Sequence, residues 1–120
     1  WRRSVYRFIV RTTPQKFMTA LDCPDPASLT PKRNVTTTVL QSLALFNNEF
    51  MLQRSSHFAE RVKNESGSDL TSQVQTAFHL AFGRSAQSEE LKFSQQLLKK
   101  HNLFHLCRVL LNTNEFVHID

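Results

Sequence analysis

Breakers are scarce in this sequence. It holds 2 glycines and 4 prolines in 120 residues. Three of the prolines fall between Pro24 and Pro31. Turn-forming residues are thus concentrated early, and the rest of the chain is free to run as helix. Aromatics with a polar handle are nearly missing, with one Trp and one Tyr against 10 Phe. Phe supplies bulk for packing and no hydrogen bond, so it points to a greasy core or to faces covered by a partner. No apolar run approaches the roughly 18 residues that span a bilayer, and no secretory signal pattern is present. The cysteines are only Cys23 and Cys107, a spacing that fits neither a zinc site nor a CxxC redox motif. They could pair in an oxidising compartment, but a small buried apolar role is the preferred reading. A phosphate-cradling glycine loop, a GxSxG nucleophile motif and an acid/base carboxylate pair are all missing.

What is present suits one globular domain. The length and the 40% hydrophobic content are enough for a core without staples. The net charge is +5, but the basic residues are dispersed and form no Lys/Arg run, which argues against a nucleic-acid arm.

The stretch WRRSVYRFIVR is strand-prone through Val5, Tyr6, Phe8, Ile9 and Val10. With no second strand to pair it, an extended arm is expected. PQKFMTALD predicts a short helix with Pro14 in its first turn. CPDPASLTPKRN is a loop, because the residue before each proline is disfavoured from helix. From Thr37 to Val62 apolar residues recur at helical spacing, through Leu40, Leu43, Ala44, Met51, Phe58 and Val62. Thr36 to Thr38 offer caps at its start. Asn47 and Asn48 sit mid-run, so the segment is one long helix or two helices jointed there. LTSQVQTAFHLAF predicts another helix, capped by Ser68 or Asp69 and stopped by Gly83. EELKFSQQLLKKH carries acids early and bases late, the order a helix dipole favours. LFHLCRVLL follows, with Asn112 as its stop and a short piece from Thr113. The expected fold is all-α, an irregular bundle of about four to five helices with an extended N-terminal arm and a Pro-rich loop. Residues 1–120 read as one helical domain, with arm, short helix and loop in 1–35 and the helical core in 36–120.

Few constellations could carry chemistry. His101 and His105 stand at i, i+4 and could clamp a metal on one helix, but no further ligand is evident, so they read first as boundary histidines. His79 flanks an apolar face and reads as a packed histidine. Cys23 beside Asp22 has no base placed for it in sequence. No catalytic residue and no cofactor is assigned to this chain.

RRSVYRFIVRTTPQKFMTALDCPDP, TPKRNVTTTVLQSLALFNNEFM, AFHLAFGRSAQSEEL and LCRVLLNTNEFVHID occur in this order. Together they resemble the C-terminal domain of unknown function of large cytochrome-c-containing proteins of planctomycete-type bacteria. The resemblance spans nearly the whole chain. It departs at Gln87-Ser88, where relatives more often carry Thr-Pro before the acidic pair. It implies a chain that begins inside a longer, exported polypeptide of the periplasm or cell surface, with other modules of that polypeptide as partners. Haem is implied only on an upstream module, since this sequence has no CxxCH.

Within these motifs Arg2, Arg3, Arg7, Asp22, Lys32 and Arg33 are candidates for an anion site or an inter-module contact. The preferred reading is an Arg/Asp network that pins the loop to the helices. Tyr6, Thr37, Asn112, Asn114, Glu115 and Phe116 are read as structural motif residues. The expected role is therefore a non-catalytic helical module that packs against or displays its neighbours. The alternative is an arginine-lined pocket contributed to a redox or polysaccharide-processing assembly. Nucleic-acid binding is a weaker alternative.

Overall fold

The computed structural model describes Tyr6, Phe8, Val10, Thr13, residues 15–24, Leu29, Thr36 and residues 38–117. Most of the expected N-terminal arm, Pro14, and much of the Pro-rich loop lie outside these. The described residues form seven helices and no strand: α1 (Lys16–Ala20), α2 (Val39–Asn47), α3 (Glu49–Ser66), α4 (Leu70–Phe82), α5 (Ser88–Lys100), α6 (Leu103–Leu110) and α7 (Asn114–Val117). The all-α expectation holds. The helices outnumber the expected four to five because short pieces count separately and the long run is broken. No helix among the described residues is long and apolar enough to cross a membrane.

The helix ends follow local chemistry. Thr38 and Gln41 make a reciprocal box at the start of α2: Gln41 N–H donates to Thr38 Oγ1 at 3.3 Å, and Thr38 N–H donates to Gln41 Oε1 at 3.1 Å. The joint in the long run is real. Asn48 is extended, and its Oδ1 accepts from Phe50 N–H at 2.9 Å, so it starts α3 anew. Asp69 caps α4 by accepting from Ser72 N–H at 2.8 Å. Gly83 ends α4 at φ 71°, a left-handed conformation that a side chain would strain. Asn102 separates α5 from α6 and caps the latter.

The chain divides into two compact units, residues 1–44 and 45–120, and the boundary falls within α2. The first unit holds α1 and the first part of α2. None of its described residues is buried.

The second unit holds the core. Val62 of α3, Val74, Ala77 and Phe78 of α4, and Leu106, Cys107 and Leu110 of α6 form one buried cluster. Phe58, Leu91, Leu97 and Leu98 pack around it. α3 packs on α6 and α4, α5 packs on α4 and α6, and α7 rests on α4. Small buried residues let these helices approach, and Ser55 and Gln73 satisfy their polar atoms locally. Ser55 Oγ donates to Met51 O at 2.8 Å, and Gln73 Nε2 donates back to Gly67 O at 2.7 Å, tying the α3–α4 turn. The stripe expected from Leu40 to Val62 is split by this arrangement: Val62 is fully buried, while Leu40 and Leu43 are exposed.

Candidate functional site

Two polar constellations stand out among the described residues, one in each unit.

The first surrounds Asp22, just after α1. Its backbone is left-handed at φ 56°, which a short carboxylate side chain tolerates better than most. One oxygen, Oδ2, accepts three hydrogen bonds: from Thr36 N–H at 2.8 Å, from Thr36 Oγ1 at 2.7 Å and from Gln41 Nε2 at 2.9 Å. The same Gln41 amide also donates to Thr36 Oγ1 at 3.0 Å. Asp22 thus fastens the start of α2 to the end of α1 across the proline-bearing segment. Of the sequence candidates in the N-terminal motifs, Arg2, Arg3, Arg7, Lys32, Arg33 and Thr37 lie outside the described residues. Tyr6 is exposed.

The second constellation centres on Arg84, the residue after the glycine stop of α4. Its guanidinium makes two forks. Nη1 and Nη2 donate to the two oxygens of Glu90 at 2.9 and 2.8 Å, and Nε and Nη2 donate to those of Glu115 at 2.7 and 2.8 Å. The guanidinium carbon lies 5.7 Å from the Phe78 ring centre and 5.5 Å from that of Phe82. Glu90 Oε2 also accepts from Gln87 N–H at 2.7 Å, which caps α5. The planar fork suits two carboxylates as an ammonium would not. One side chain therefore joins the end of α4, the start of α5 and α7.

Both carboxyls are held below their ordinary range. Arg84 is the main cause for Glu90, with the Gln87 N–H second, and its value falls to about 2. Arg84 is also the main cause for Glu115. The direction fixes the pH dependence. A depressed carboxyl stabilises the fold above its unfolded value, near 4.5, and that contribution fades as pH falls toward about 2. Glu90→Gln is expected to cost about 1 kcal/mol at pH 7, a discounted figure because water screens a pair one-third exposed. Thermal melts at pH 7, 4 and 2.5 check this: the gap between parent and variant should narrow steadily, and a constant gap would contradict the assignment.

A further cation closes the last turn of α2. Arg108 of α6 donates from Nε and Nη2 to Phe46 O at 3.0 and 2.8 Å. Its Nη2 also reaches Asn47 Oδ1 at 3.2 Å, and the guanidinium carbon stacks 3.8 Å from the centre of the Phe46 ring.

The histidine pair does not sit on one helix, as the clamp considered beside the boundary reading would require. His101 is the extended residue that ends α5, whereas His105 lies in α6. Their rings are 5.4 Å apart, and His105 Nδ1 is 2.6 Å from Asn102 Oδ1, so the pair belongs to the interhelix joint. Among the described residues no group of three His, Cys, Asp or Glu is placed to hold a metal. His79 is exposed rather than packed, because it falls on the α4 face opposite Val74 and Phe78. Cys23 is exposed and Cys107 buried, both as free thiols. Burial pushes the Cys107 thiol up to about 12, so it stays protonated and unreactive.

In the C-terminal motif, Asn112 ends the turn after α6, where its N–H donates to Val109 O at 3.0 Å. Asn114 opens α7, Glu115 pairs with Arg84, and Phe116 is exposed. Arg84 and Arg108 were missed as sequence candidates. The available signal for Arg84 was its place directly after a glycine stop and six residues before the capping Glu90. Arg108 has no sequence signal, since its partner lies 62 residues away.

Residues 1–98 match PSD1, a family described as a protein of unknown function (DUF1553). The chain belongs to the PSD1 family. The match takes in the Asp22 cluster, Arg84 and Glu90, and stops within α5. Glu115 and Arg108, which complete the two braces of the second unit, lie beyond it. No curated protein and no solved structure matches this PSD1 member.

Proposed function

We propose that this PSD1 chain is a non-catalytic helical module that packs against neighbouring modules of one exported polypeptide at the cell envelope, cytochrome-c-like modules among them. One observation supports the reading above the rest. The first part of α2 carries no charge, and its Val39, Leu40 and Leu43 are 84%, 72% and 54% exposed. These side chains share one helical face. They sit in a unit with no buried described residue, where Phe8 and Leu29 are exposed as well. A contiguous apolar face of this kind is what an interaction surface looks like. The polar clusters fit the same reading, since Asp22 and Arg84 spend their hydrogen bonds on the chain itself.

Hydroxyl-radical footprinting of the full-length polypeptide tests the proposal. Leu40 and Leu43 should be oxidised several-fold more slowly than exposed leucines elsewhere. Oxidation at the exposed rate would remove the packing role. Cell fractionation tests the envelope placement separately, and recovery in the cytoplasm would remove that part.

A further inference from the structure

The solvent face of α5 has a character distinct from the uncharged face of α2. Ser88, Glu89, Lys92, Phe93, Gln96, Lys99 and Lys100 are its exposed residues. Lys92, Phe93, Gln96, Lys99 and Lys100 stand at i, i+1, i+4, i+7 and i+8, which is a single helical stripe about 12 Å long. Phe93 is 71% exposed in the middle of it. None of the three lysines takes part in an ion pair with a described residue. Glu89 stands three residues before Lys92 on the same face and leaves it net positive, while both oxygens of Glu90 are engaged by Arg84. The stripe is also held in place: the opposite face of α5 packs through Leu91, Leu97 and Leu98, and Gln95 Nε2 donates to Thr71 Oγ1 of α4 at 3.0 Å.

We infer that this stripe is a docking surface for an acidic protein segment, whose apolar pocket or side chains receive Phe93 while its carboxylates meet Lys92, Lys99 and Lys100. Charge complementarity selects the occupant. Three ammonium groups outside any ion pair with a described residue outnumber the single carboxylate of Glu89 on this face, and around one bare aromatic they call for carboxylates around an apolar site. Phe93 has no donor or acceptor of its own, so it serves as a hydrophobic anchor with the lysines as its rim. Phosphate backbones are poorly matched here. Bidentate arginine is the side chain that reads them best, and this face has none. Arg61, Arg84 and Arg108 are engaged with Glu65, the two glutamates and Phe46. A single aromatic likewise gives no stacking platform for successive bases. This surface is independent of the α2 face, so either can fail without the other.

Panning of a random 16-residue phage-displayed peptide library on the full-length protein tests the inference. Enriched peptides should carry several Asp or Glu beside aliphatic or aromatic residues. Measured as synthetic peptides, they should lose about tenfold in affinity on Phe93→Ala, and at least as much on the double change Lys99→Glu, Lys100→Glu. Both sites are exposed, and unchanged circular dichroism would show that the variants are folded. Binding should also weaken with added salt. Failure to enrich acidic sequences, or peptides that bind the charge-reversed variant equally well, would overturn the assignment. So would tighter binding, lost on Lys99→Glu with Lys100→Glu, to a random 20-base-pair duplex or to anionic phosphatidylserine vesicles than to the best peptide.

Discussion

Phe78→Ala is expected to be the most damaging single truncation in the second unit. Phe78 is only 4% exposed, and it lies among Val74, Ala77, Leu106 and Leu110. Its ring meets that of Phe82 edge-on at 5.4 Å and 73°. The Arg84 guanidinium covers it from the direction of the α5 start. Losing the ring removes buried area and leaves a cavity, and such changes cost about 3–5 kcal/mol. That is a large part of the stability of a domain of this size. A drop in Tm on the order of 10–20 °C should follow. Phe78→Leu keeps most of the volume and should cost about 1 kcal/mol. If calorimetry finds alanine and leucine equally mild, the core is not centred where the structure puts it.

Arg108→Ala should cost about 2 kcal/mol by a different route. The carbonyl of Phe46 is among those at a helix end that have no intrahelical partner. A cation placed there gains from the helix dipole as well as from the hydrogen bonds. Arg108 adds a stacking contact with the Phe46 ring at 3.8 Å. Hydrogen bonds to a charged group at a half-buried position carry about 1.5–3 kcal/mol. Arg108→Lys should recover less than half of the loss, because an ammonium cannot both stack on the ring and fork to Phe46 O and Asn47 Oδ1. Urea unfolding measures the size of the effect. Amide exchange locates it: the last turn of α2 and the first turn of α3 should exchange faster in the variant, and exchange that stays uniform would place the effect elsewhere.

Local rules made much of the helical layout legible. Gly83 marked a break, Asp69 was one of two proposed caps, and Asn112 was placed at the stop before α7. Acids at the start and bases at the end oriented the α5 segment. Asn47-Asn48 left the joint open in sequence, and the structure resolves it because Asn48 can supply an N-cap that a continuous helix cannot use. Periodicity put Leu40 and Leu43 on a helix, and α2 holds both. It reports that a face is apolar and is silent about whether anything in the chain covers it. The braces were harder to see. Glu115 was read only as a structural motif residue, since its partner Arg84 is 31 residues away. Asp22 was expected to join a charge network whose basic members lie outside the described residues; its described partners are a threonine and a glutamine, neutral groups that no charge pattern reveals.

Cys107 has a practical consequence for anyone handling the protein. A thiol enclosed at 0% exposure by α3, α4 and α6 can meet an alkylating reagent only when those helices separate, whereas Cys23 at the surface meets it at once. The pair makes a built-in clock and its standard: the slow label counts openings of the interior, the fast one counts molecules.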